Sequence, residues 1–96
     1  MFDTGEFRSL EPLGFPLYSV SDLGEVVNND TWSTKARVKN QHGYNFVTLY
    51  QGPRRMSRQV SVLVAETFIR DMYPLEWKTL IYLDGDLDNC KASNLT

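Results

Sequence analysis

Apolar and polar residues alternate most regularly over residues 43–50, where Tyr44, Phe46, Thr48 and Tyr50 fall on one side and Asn45, Val47 and Leu49 on the other. A period of two is the pattern of a half-buried strand. Residues 17–20 (Leu17-Tyr18-Ser19-Val20) read as a shorter strand, Ser21-Asp22-Leu23-Gly24 as a turn, and Glu25-Val26-Val27-Asn28 as the hairpin partner. Asn28-Asn29-Asp30 is a second turn cluster. Residues 35–39 predict a basic edge strand, with Ala36 and Val38 facing away from the charges. Gln51-Gly52-Pro53-Arg54 turns the chain so that residues 56–60 return as a strand. Over residues 61–69 the period changes: Leu63, Val64, Thr67 and Phe68 share a helical face, Ser61 stands where a cap belongs, and Pro74 closes the region. Residues 79–83 predict a last strand, turned by Asp84-Gly85. The pattern as a whole predicts an α+β fold: a small antiparallel sheet with one short helix packed on it.

Composition narrows this little. A chain of 96 residues with 42% hydrophobic and 23% charged residues has room for one modest core and is no disordered segment, so we expect a single domain over residues 1–96. No apolar run reaches membrane-spanning length, and the amino terminus has neither a basic region nor an apolar signal core, so no membrane partner is expected. Cys90 and His42 are the only cysteine and histidine. An internal disulfide and a four-ligand zinc site are therefore excluded, and a lone thiol fits a reducing, cytoplasmic compartment.

Charge changes the picture more. The net charge of −2 hides six basic residues between Trp32 and Ala65 (Lys35, Arg37, Lys39, Arg54, Arg55 and Arg58) with no Asp or Glu among them. Cations on adjacent strands are placed to track phosphates, and Tyr44 or Tyr50 beside them to stack on a base. The plainer alternative is a solvated edge that resists strand-to-strand aggregation.

The order of three blocks carries a family resemblance. Residues 13–26 (Leu-Gly-Phe-Pro-Leu-Tyr-Ser-Val-Ser-Asp-Leu-Gly-Glu-Val) resemble the nuclease-associated modular DNA-binding motif (NUMOD-like). Residues 43–49 and 60–69 resemble the strand and short helix of HNH homing-type endonucleases. Ile81-Tyr82-Leu83-Asp84-Gly85-Asp86-Leu87-Asp88-Asn89, followed by Asn94-Leu95, resembles the centre of their active site. The resemblance divides the chain into a NUMOD-like hairpin at 13–28 and an HNH-like region at 43–96. It also implies a bacteriophage or prophage origin.

The departures from the family pattern fall where its chemistry should be. Cleavage by HNH enzymes uses a histidine base and a divalent metal. Tyr82 stands in the place of that histidine, and a phenol keeps its proton at neutral pH and accepts another poorly. Ile81 replaces the Asn or Asp that helps hold the metal, and Ser61 replaces the His that opens the short helix. The family continues beyond Asn94-Leu95 into a helix carrying a further ligand, whereas this sequence ends at Thr96, so the expectation is an HNH domain cut short. Glu25, Phe46 and Val62 also stand where the family usually has Arg.

Other residues admit narrower readings. Asp84, Asp86 and Asp88 imitate the start of a calcium loop, but Asn89 holds the position of its glycine and Leu95 that of its bidentate Glu. A polar turn is the simpler reading, with a weak incidental divalent ion as the alternative. His42 sits in a turn with no partner acid, Trp32 in a polar stretch, and Cys90 where a small buried residue fits. Met72, Tyr73, Leu75 and Trp77 form a candidate protein-binding patch. Three functions follow: a catalytically inactive HNH-like protein that binds, and inhibits, a host protein; a DNA-binding module using Lys35, Arg37, Lys39, Arg54, Arg55 and Arg58; or a metal-dependent nicking enzyme. The first is favoured, with no catalytic residue and no cofactor assigned.

Overall fold

The computed structural model describes residues 4–69 and 80–96. Its described strands form two antiparallel sheets of three strands each. The first has β1 (Phe7–Leu10), β2 (Phe15–Ser21) and β3 (Val26–Asn28) in the order β1-β2-β3. The second has β4 (Val38–Lys39), β5 (Asn45–Gln51) and β6 (Arg54–Gln59) in the order β4-β5-β6. A short helix α1 (Val60–Val64) follows β6 directly and widens into a π-type turn over Ala65–Ile69. No described helix is long and apolar enough to cross a membrane.

The α+β class thus holds, with two small sheets in place of one. Register explains why both are needed. On β5, Asn45, Val47 and Leu49 are buried while Phe46, Thr48 and Tyr50 are not, so the strand offers one face to a core. On β2, Tyr18 and Val20 point into the same core, joined by Val26 of β3 and by Val60, Leu63, Val64 and Ile69 from the helical segment. Each such aliphatic side chain taken from water contributes roughly 1.5–3 kcal/mol. Tyr18 stitches the sheets together, because its phenol oxygen accepts the Tyr50 amide at 3.2 Å, and Gln51 Nε2 donates to Gly14 O at 2.8 Å.

Several expectations shift at their edges. β1 was not legible, and it pairs with β2 through a register break between Ser9 and Leu10. Residues 35–39 form a strand only at Val38 and Lys39, with Thr34 separately bridging Val27. Val60 opens the helix and does not end the strand. Ser61 is not the cap: that position belongs to Gln59, in extended backbone, and Ser61 is fully buried inside the helix. Within the predicted last strand, Tyr82 bridges Leu95, and Leu83 donates its amide to Asn94 O at 2.8 Å. Pro74 and Thr79 lie outside the described residues.

Candidate functional site

The Asp84–Asn89 loop is braced from within. Asp84 Oδ1 accepts the Asp86 amide at 2.8 Å and Asn94 Nδ2 at 3.0 Å, while Asp84 Oδ2 accepts Asn89 Nδ2 at 2.9 Å. Asp86 Oδ1 in turn accepts the Asp88 amide at 2.9 Å. The Asn89 bond, then the Asp86 amide and Asn94, hold the Asp84 carboxyl below its ordinary range.

Both sheets anchor this loop. From β5, Asn45 Nδ2 donates to Leu87 O and to Asp88 Oδ1, each at 3.0 Å, and from β4 Lys39 Nζ reaches Asp88 Oδ2 at 2.9 Å. The Asn45 hydrogen bond and then Lys39 push the Asp88 carboxyl down. Arg37, just before β4, ties the loop to the first sheet: Nη1 donates to Asp88 O at 2.9 Å and Nη2 to Gly24 O, in the turn between β2 and β3, at 2.8 Å. Gly24 has φ +88°, and a Cβ there would lie 2.8 Å from that guanidinium nitrogen and 3.2 Å from Cys90, so only glycine fits the turn. Asp22, in the same turn, accepts the Ala92 amide on its backbone oxygen at 2.8 Å. Its buried carboxylate receives the Thr4 amide and hydroxyl and the Gly5 amide. Burial is the largest influence on that carboxyl and pushes it up, but the hydrogen bonds together outweigh it and hold it below its ordinary range.

Around Tyr82, three side chains close on one another. Tyr82 OH lies 2.5 Å from Ser61 Oγ, and Gln59 Nε2 donates to both oxygens at 3.1 Å. The Tyr82 ring also tilts against Tyr44, with centroids 6.3 Å apart. The divalent metal implied by the resemblance does not fit these residues. Ile81 offers only hydrocarbon, 53% exposed, and the oxygens of Asp84 and Asp88 are turned to amides and to Lys39. Among the described residues no three His, Cys, Asp or Glu side chains converge as a ligand set.

The six basic residues named from the sequence do not form one patch. Arg37 and Lys39 anchor the loop, Lys35 lies 5.8 Å over the Tyr18 ring, and Arg58 lies 5.4 Å over Phe15. Arg54 and Arg55 are exposed at the start of β6, and among the described residues neither side chain has a hydrogen-bond or ion-pair partner. They alternate across the sheet, opposite Gln51 and Tyr50 respectively. His42 is exposed in a turn, its ring 3.3 Å from Gln41 Nε2 and its amide donating to Asn40 Oδ1, and Cys90 is buried, with its thiol pushed up chiefly by that burial. Met72, Tyr73, Leu75 and Trp77 lie outside the described residues.

Sequence reasoning missed Gln59 and Asn45 as parts of this site, and named Ser61 only as the replacement of a histidine and as a cap. Asn45 carried a signal, since a carboxamide on the apolar face of a strand must find a partner. Gln59 gave none, because its role exists only once Tyr82 is brought over it.

The NUMOD4 motif model matches residues 10–50. The structure of the HNH homing endonuclease I-HmuI, from a description of that enzyme's DNA binding and cleavage, matches with a TM-score of 0.80 and 27% identity over 94% of this chain. The match covers 50% of the I-HmuI chain, so this chain spans about half of that enzyme's length. No curated protein gives a significant match. The chain is thus similar to an HNH homing endonuclease over most of its length and matches the NUMOD4 motif over residues 10–50, the two likenesses that the sequence implied.

Proposed function

We propose that this protein binds DNA without cutting it. The observation that carries the reading is the closed set of Tyr82, Ser61 and Gln59 where an HNH enzyme keeps its base. A hydroxyl engaged with a buried serine and a carboxamide is not poised to take a proton from water. The surrounding loop keeps its internal bracing, so the scaffold stays rigid while the reacting groups are gone. DNA as the partner is supported by the NUMOD4 motif, by the likeness to a DNA-cleaving relative, and by the unengaged Arg54 and Arg55. Nothing among the described residues favours a host protein over DNA as the partner.

The test is a plasmid-nicking assay with magnesium or manganese, run beside a mobility-shift assay on the same preparation. Retarded DNA that stays intact is the expected result. Nicking by purified protein that disappears in Asp84→Ala would refute it.

A further inference from the structure

The second sheet leaves one face open, and that face is unusual for a chain of net negative charge. By register, Val38, Phe46 and Gln59 lie in one row, Thr48 and Ser57 in the next, and Tyr50 and Arg55 in the third. All of them point away from the core, because Asn45, Val47 and Leu49 occupy the other side of β5. Val38 is 64% and Tyr50 45% exposed, and a shallow depression of about 530 Å³ runs between β4 and β6 across Phe46. No carboxylate occurs anywhere from Trp32 to Ala65, the stretch that supplies the whole sheet. The row also runs into the site already described, since Gln59 donates to Tyr82 OH and the Tyr82 ring meets Tyr44.

We propose that this open face is a stacking platform for unpaired DNA bases. The inference rests on the DNA-binding reading and names which form of DNA this face takes. In a duplex the flat side of each base is already covered by its neighbours, leaving only edges for a protein to read. An exposed ring on a flat sheet, by contrast, offers a π-face that an unpaired base can meet. Phe46 and Tyr50 are four residues apart on one strand, roughly 13 Å, so each ring can take a base that is not the immediate neighbour of the other's, and Arg55 directly opposite Tyr50 is placed for an adjacent phosphate. The strands of the sheet carry no acid to repel the DNA, and Asp88 at its edge is paired with Lys39. Few phosphates are neutralised, so stacking carries the affinity and salt weakens it only gently.

The test measures binding of a short mixed-sequence single strand, and of its blunt duplex, to the full chain by fluorescence anisotropy. The single strand should bind more tightly than the duplex. Tyr50→Ala should weaken it by roughly 5- to 150-fold, the range expected for one lost base–ring stack. Tyr50→Phe keeps the ring and should bind like the wild type. Phe46→Leu keeps an apolar residue in the sheet, controls for folding, and should also lose affinity. Duplex binding that equals or exceeds single-strand binding and is unmoved by Tyr50→Ala would overturn the platform while leaving the DNA-binding reading intact. Binding of neither form would overturn both.

Discussion

Tyr82→Phe removes one oxygen and leaves the ring in place against Tyr44, so it isolates the hydrogen bonding of the closed set. Ser61 is fully buried, and its hydroxyl faces Tyr82 OH and Gln59 Nε2. Without the phenol, Gln59 still donates to Ser61, but the buried Ser61 hydroxyl loses its Tyr82 partner, whichever of the two oxygens donates. An unsatisfied buried donor or acceptor costs about 1–3 kcal/mol. Gln59 is half-buried and can turn its other proton to water, adding little. We therefore expect Tyr82→Phe to destabilise the protein by about 1–2 kcal/mol, at the lower end of that range. For a domain of this size each kcal/mol lowers Tm by about 4–8 °C. The decisive measurement is a double-mutant cycle with Ser61→Ala, followed by thermal and urea unfolding. Removing both hydroxyls leaves no orphan, so the double variant should lie closer to the wild type than the two single losses added together. Simple additivity would show that the two oxygens do not depend on each other, and the description of a closed set would fall with it.

Three further outcomes follow from the same geometry. Arg37→Ala should lower stability by about 1–3 kcal/mol, since it cuts both the Gly24 and Asp88 ties, as urea unfolding would show. Arg54→Glu with Arg55→Glu should instead leave Tm nearly unchanged and weaken DNA binding in a mobility-shift assay, because both side chains lie exposed without partners among the described residues. Asp22, Asp84 and Asp88 all have carboxyls held below the ordinary 3.8, so their stabilisation is complete above that value and is lost as pH falls through the lowered folded values. Tm should accordingly stay level down to about pH 5 and drop below it, with Asp22→Asn less stable at neutral pH and less sensitive to acid.

What could be read from the sequence was what repeats locally. The alternation at residues 43–50 gave β5 and its two faces correctly, and the Ser21-Asp22-Leu23-Gly24 turn placed the hairpin of β2 and β3. The motif blocks led to the NUMOD4 and HNH likeness. What could not be read depends on contacts between distant residues. The basic stretch looked like one surface because its charges are close in sequence, yet Arg37 reaches Asp88 and Arg58 turns to Phe15 once the strands pair. Ser61 looked like a cap because it precedes an apolar helical face. Its side chain instead answers a phenol twenty-one residues away, and no local rule describes that contact.

The guanidinium of Arg37 joins the hairpin of β2 and β3 and the Asp84–Asn89 loop into one mechanical piece. The two pieces share a core and are riveted through Gly24 and Asp88. A fragment cut at residue 50 would give up its rivet partner and half its apolar interior together. Grafting the hairpin onto another protein would then require a substitute for both.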